Sequence, residues 1–178
     1  MSVCPTCENT PLKPYKLEPN LPAKVCVKCN GCFINLLSYR NWLDGVSSPK
    51  LASVTKAEVI SDDTRSAMAC PNCSRLMQKF LIKAGVKNRV DVCLKCDEAW
   101  LDEGEWQLLH QLGLNEKLTR ITTEPWQIRV KQDAAKERVE EGIKAKLGDA
   151  DFAKVNEFKV WLQQHPQKKL IDNLLKRD

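Results

Sequence analysis

Four Cys-x-x-Cys pairs constrain this chain more than any other feature of its sequence: Cys4-Pro-Thr-Cys7, Cys26-Val-Lys-Cys29, Cys70-Pro-Asn-Cys73 and Cys93-Leu-Lys-Cys96. Eighteen residues lie between the first two pairs and nineteen between the last two. Cys4 and Cys70 are 66 positions apart, and Cys26 and Cys93 are 67. One unit has therefore been used twice, with a one-residue length change in its middle. Each Cys-x-x-Cys knuckle directs two sulfurs at one point, and two knuckles joined by a hairpin complete a tetrahedron of thiolates. The spacing between knuckles is that of a zinc ribbon. The expectation is two structural Zn²⁺ ions. Cys4, Cys7, Cys26 and Cys29 would hold the first, and Cys70, Cys73, Cys93 and Cys96 the second. Iron in a rubredoxin-like site is the rival metal, because four thiolates suit it too. Redox-active cysteine pairs are a further rival.

A ninth cysteine, Cys32, extends the series Cys26-x-x-Cys29-x-x-Cys32. The repeat aligns it with Ala99, which cannot bind metal, so Cys32 is expected to be a small apolar residue at the base of a helix. The formal charge of +5 suggests nucleic acid at first sight. Zinc binds thiolate rather than thiol, so each loaded site carries −2 and the loaded protein falls to about +1. Global charge then says little about partners.

The repeat continues past the cysteines. Phe33-Ile34-Asn35 follows Cys29 at the distance at which Trp100-Leu101-Asp102 follows Cys96. Asn35 and Asp102 are good helix N-caps, and Asp102 with Glu105 approximates a capping box. Apolar-rich segments follow and stop at Gly45 and Gly113, which predicts two helices of about ten residues. Between the knuckles, Tyr15-Lys16-Leu17 and the positions Leu21, Ala23 and Val25 alternate like strands. In the second copy Leu76 to Ile82 and Val90-Asp91-Val92 read as strands around a Gly85–Arg89 turn. The fold class expected is small α+β. Two tandem zinc ribbons, each a β-hairpin plus a short helix, span residues 1–45 and 69–113. A polar linker covers 46–68 and an α-helical region 114–178. Within the last, Trp126–Leu147 and Asp149–Gln164 read as helices, and Pro166 marks the start of a third.

The stretch Cys70-Pro-Asn-Cys73 … Cys93-Leu-Lys-Cys96-Asp97-Glu98-Ala99-Trp100-Leu101-Asp102-Glu103-Gly104-Glu105 resembles the transcription-factor-IIB-like zinc-finger family of small prokaryotic proteins. That family's pattern is Cys-Pro-x-Cys, then Cys-x-x-Cys-Gly-Gly-x-Trp-Leu-Asp-x-Gly-Glu. The first copy matches more loosely, with Phe33-Ile34-Asn35 in place of Trp-Leu-Asp. Asn30-Gly31 and Asp97-Glu98 replace the paired glycines, and Asn and Asp tolerate the left-handed backbone that glycine would favour. The resemblance implies zinc on the eight paired cysteines and does not reach residues 114–178.

No catalytic constellation accompanies the cysteines. Four-cysteine sites are closed, whereas catalytic zinc keeps an open position. His110 and His165 lie outside the knuckles, and helix capping explains Asp102, Glu103 and Glu105. The chain reads as non-enzymatic, without a small-molecule substrate. It has no run long enough to span a membrane and no signal peptide, so the expected compartment is the cytoplasm. Two binding functions remain. An unidentified protein partner, or self-association, would use the C-terminal helices with Phe152, Phe158 and Trp161. Alternatively, Lys79, Lys83, Lys87 and Arg89, with Trp100 and Trp106 nearby, would contact nucleic acid.

Overall fold

The computed structural model describes residues 2–7, 9–45 and 66–176. Most of the polar linker expected at 46–68 lies outside the described residues. The chain divides into two compact units, Met1–Gln132 and Asp133–Asp178.

The first unit is built on one antiparallel six-stranded sheet. Its strands are β1 (Lys13–Glu18), β2 (Leu21–Val25), β3 (Cys32–Asn35), β4 (Gln78–Leu81), β5 (Arg89–Cys93) and β6 (Glu98–Leu101). Their order across the sheet is β1-β2-β3-β6-β5-β4. Three strands come from each copy of the repeat, and the copies meet edge to edge through β3 and β6. The register there pairs Cys32 with Leu101, Phe33 with Trp100, Ile34 with Ala99 and Asn35 with Glu98. The repeat offset carries Phe33 onto Trp100 and carries the pair Cys32–Leu101 onto Ala99–Ile34 of the same ladder. A pseudo-twofold axis therefore runs through Phe33 and Trp100, as in an isologous dimer made within one chain.

The expected fold had only a hairpin and a helix in each copy. Phe33-Ile34-Asn35 and Trp100-Leu101 were read as approaches to helices, yet they are the two central strands. Cys32–Ile34 and all four residues of β6 are buried, so they show no alternation, and the partners across this ladder lie 63 to 69 positions apart in the sequence. Pairing also locates the length change. Lys16 pairs with Pro22 but Leu81 with Arg89, so the β4–β5 connection is two residues longer. Cys4 N–H bonds Thr10 O, whereas Cys70 N–H bonds Arg75 O, so the first knuckle of the second copy is one residue shorter. The single net residue is the sum of two opposite changes.

Strand alternation sorts the two sheet faces. Ile34, Ala99 and Leu101 join Leu21, Ala23, Phe80, Ile82, Val90 and Val92 in the main core. Phe33 and Trp100 point to the opposite face, among the paired cysteines with Met68 and Met77. The main core is closed by α1 (Leu36–Gly45), α2 (Glu105–Gln111), α3 (Leu118–Ile121) and the first turns of α4 (Glu124–Leu147). Asn35 caps α1 by accepting the Ser38 N–H at 3.0 Å. Gly113, at φ +64°, ends α2 in a Schellman turn with Leu114 N–H on Leu109 O. The expected cap at Asp102 is displaced: α2 begins after Gly104, at φ +80°. Glu105 still reaches back to the Asp102 N–H at 2.9 Å, so half of the capping box forms.

The second unit holds the rest of α4 with α5 (Asp149–Gln164) and α6 (Lys168–Leu175). Among the described residues no helix is long and apolar enough to cross a membrane.

Candidate metal centres

The sheet brings the four knuckles together in the pairs that their spacing predicts. Cys4, Cys7, Cys26 and Cys29 form one cluster and Cys70, Cys73, Cys93 and Cys96 the other, with all ligand atoms of each within 4.8 Å of one another. Cys4 Sγ lies 3.6 Å from Cys29 Sγ, and Cys73 Sγ 3.6 Å from Cys93 Sγ. A disulfide requires about 2.05 Å, so neither contact is one. A tetrahedron with metal–sulfur bonds of about 2.3 Å has edges of about 3.8 Å. The donor sets therefore fit two metal ions, and they are closed, four sulfurs to each.

Local backbone shape explains why these residues converge. In the first knuckle the N–H groups of Thr6 and Cys7 point at Cys4 Sγ, at 3.4 and 3.2 Å. Asn72 N–H points likewise at Cys70 Sγ at 3.4 Å. Such donors favour thiolate over thiol. Each knuckle leaves through a left-handed residue: Asn9, Asn30, Ser74 and Asp97 have φ of 53°, 53°, 58° and 54°. Asn30 and Asp97 thus do take the conformation expected of the glycines they replace.

The sulfurs also perturb one another. Burial opposes ionisation of Cys26, yet the N–H groups of Cys29 and Lys28 and the neighbouring sulfurs bring its pKa down to about 7. Arg75 N–H, above all, lowers Cys73 to about 7. Burial raises Cys4 and Cys70, and hydrogen bonding with Cys73 raises Cys96 to about 12. In each cluster one sulfur, Cys26 or Cys73, holds negative charge most readily.

Cys32 stays outside both clusters. It lies in β3 opposite Leu101, not at the base of a helix. Its thiol contacts Asn30 O at 3.7 Å, and burial pushes its pKa up to about 11. It is inert apolar filling, as its alignment with Ala99 suggests.

The wedge between the centres is aromatic. Trp100 is fully buried, tilted against Phe33 with ring centroids 6.4 Å apart, and its Nε1–H donates to Asp102 at 2.8 Å. Gly31 makes room for it, since a Cβ there would stand 2.2 Å from Trp100 Cζ2. Trp106 packs its helix on the sheet, donating to Glu18 at 2.9 Å, and His110 Nε2 lies 3.0 Å from the same carboxylate oxygen. His110 is a packing residue. Lys79 is tied at 2.8 Å to Asp91, whose side chain is 1% exposed.

Compared with protein-family models, with curated proteins and with solved structures, the chain has no significant match in any of the three.

Proposed function

We propose that the chain is a non-enzymatic protein-interaction module, held in shape by two structural zinc ions and related to the transcription-factor-IIB-like zinc-finger proteins. Closed four-sulfur sets support a structural metal, since each leaves no position for water or substrate. Zinc fits the tetrahedral, redox-silent role better than iron, and the two ions would add folding free energy that short strands cannot supply alone. Elemental analysis of colourless protein with two zinc atoms per chain is the expected result. Red protein containing iron would assign the sites to electron transfer.

The observation that carries the interaction reading is the apolar surface of the second unit. Neither α5 nor α6 contributes a buried residue. Phe158 and Trp161 form a ring pair 5.5 Å apart and are 41% and 48% exposed, and Leu170, Leu174 and Leu175 are more than half exposed. Several exposed apolar side chains on a small helical unit favour a protein contact. The nucleic-acid reading loses its stacking groups, because Trp100 and Trp106 are buried and Lys79 already serves Asp91. The test is pull-down of zinc-loaded full chain from its native cytosol with nuclease present. One protein should co-purify stoichiometrically and disappear with Leu174→Ser and Phe158→Ser. Nuclease-sensitive retention that ignores both substitutions would restore the nucleic-acid reading.

A further inference from the structure

The pseudo-twofold axis relates the two halves of the sheet, but their outer parts are covered differently. Pairing makes Tyr15 the counterpart of Phe80 and Lys16 of Leu81, because their β2 and β5 partners are themselves equivalent; Leu17 lies at the register shift between Lys16 and Glu18. On the second half, residues 118–130 lie over these positions. Leu118 and Ile121 are fully buried, and Trp126 Nε1–H donates to Ile82 O at 3.0 Å. The Gln127 amide accepts Leu81 N–H at 3.1 Å and donates to Leu81 O at 2.9 Å, which satisfies the outer edge of β4. Phe80 is left 6% exposed.

On the first half the same place is open. Tyr15 is 48% exposed, and a groove of about 490 Å³ runs over it. Tyr15, Leu17, Val25, Val27 and Trp106 are among its lining residues. Asp102 and Glu103 line it on the acidic side. A volume of this size is in the range of real binding clefts.

We propose that this groove binds a helical segment of another protein, apolar and aromatic on one side and basic at its flanks, in the way residues 118–130 cover the second half. The internal counterpart shows what such a sheet surface accepts: Leu118, Ile121 and Trp126 on the apolar side, with Arg120 and Arg129 beside them. The acidic lining complements those basic flanks. In each copy of this chain that segment is already engaged on its own second half, so the occupant comes from a different protein. The proposal shares the interaction reading given above but uses a surface of the first unit.

The probe is a fluorescein-labelled peptide of residues 117–132, titrated with zinc-loaded full chain. Saturable one-to-one binding is expected. It should weaken roughly tenfold or more with Tyr15→Asp and with Val27→Asp, as loss of a central contact does. Leu94→Asp, at the counterpart of Val27 on the covered half, should leave it unchanged. Far-UV dichroism and zinc content confirm that each variant is folded. Absence of saturation up to about 1 mM overturns the proposal. So does binding that ignores Tyr15→Asp, which would mean the peptide displaces the chain's own segment. Self-association abolished by Tyr15→Asp would give the groove to a second copy and overturn it equally. None of these failures touches the reading of the second unit, which the cytosolic pull-down decides separately.

Discussion

Gly31→Ala tests the close approach of Gly31 to Trp100. The added methyl would stand 2.2, 2.9 and 3.0 Å from Trp100 Cζ2, Cε2 and Cη2. Carbon atoms in contact prefer about 3.5–4.0 Å, so the indole has to retreat by more than an ångström. It is fully buried against Phe33 and the paired cysteines, with no empty side to move toward. Overpacking of this kind costs about 1–3 kcal/mol, and disturbing the Trp100 Nε1–H bond to a carboxylate adds about 1.5 kcal/mol or more. A loss of about 3 kcal/mol is expected, read as a fall in the urea midpoint of about 1–2 M at buffered free zinc. The pseudo-symmetry supplies the control. Across the axis Glu98 stands where Gly31 does, and it faces Phe33 rather than tryptophan; the two line one small pocket. Trp100→Phe removes the crowding atoms and recreates that smaller pairing. In the Trp100→Phe background, Gly31→Ala should cost less than about 1 kcal/mol, a coupling of about 2 kcal/mol. Equal cost in both backgrounds, or no cost in either, would refute the wedge argument.

Chelation should unfold the sheet, because both cysteine clusters share one apolar layer with Phe33 and Trp100; unchanged dichroism after verified metal removal would contradict this. Zinc affinity should fall with pH. The Cys26 and Cys73 thiols sit below the ordinary thiol value, so their contribution is present above that value and is lost as pH falls through about 7. A dye-competition titration should steepen below that pH. Lys79→Ala removes the ammonium paired at 2.8 Å with a buried carboxylate and should cost up to about 3–5 kcal/mol, whereas Lys79→Met with Asp91→Leu should recover most of it; thermal unfolding of both variants checks the contrast. Cys32→Ala should leave two metal ions bound by elemental analysis, since its sulfur belongs to neither cluster.

The metal clusters were legible because their signal is covalent spacing. A Cys-x-x-Cys knuckle is local, and its partner is fixed by the repeat. Asn35, Gly113 and the tail helices were legible for the same reason, since caps and periodicity act within a few residues. The union of the copies was not. β3 and β6 are four residues each and, Asn35 apart, buried on both faces, so nothing in their sequence distinguishes a strand from the entry to a helix. The short α3 was missed because four residues carry no period. The cover that α3 and Trp126 provide depends on the joined sheet existing first. Trp100 illustrates the limit: its burial could be guessed, but the face it occupies follows from which strand it belongs to.

Pairing β3 with β6 inside one polypeptide also changes what substitution can do. In a homodimer with this contact every side chain would occur twice, and a tryptophan at the axis would meet a second tryptophan. Here each half carries its own residue: Phe33 faces Trp100, Gly31 answers to Glu98, and Tyr15 stands bare where Phe80 is roofed. One molecule can thus keep a twofold scaffold while finishing its halves differently, one sealed by its own chain and the other left open.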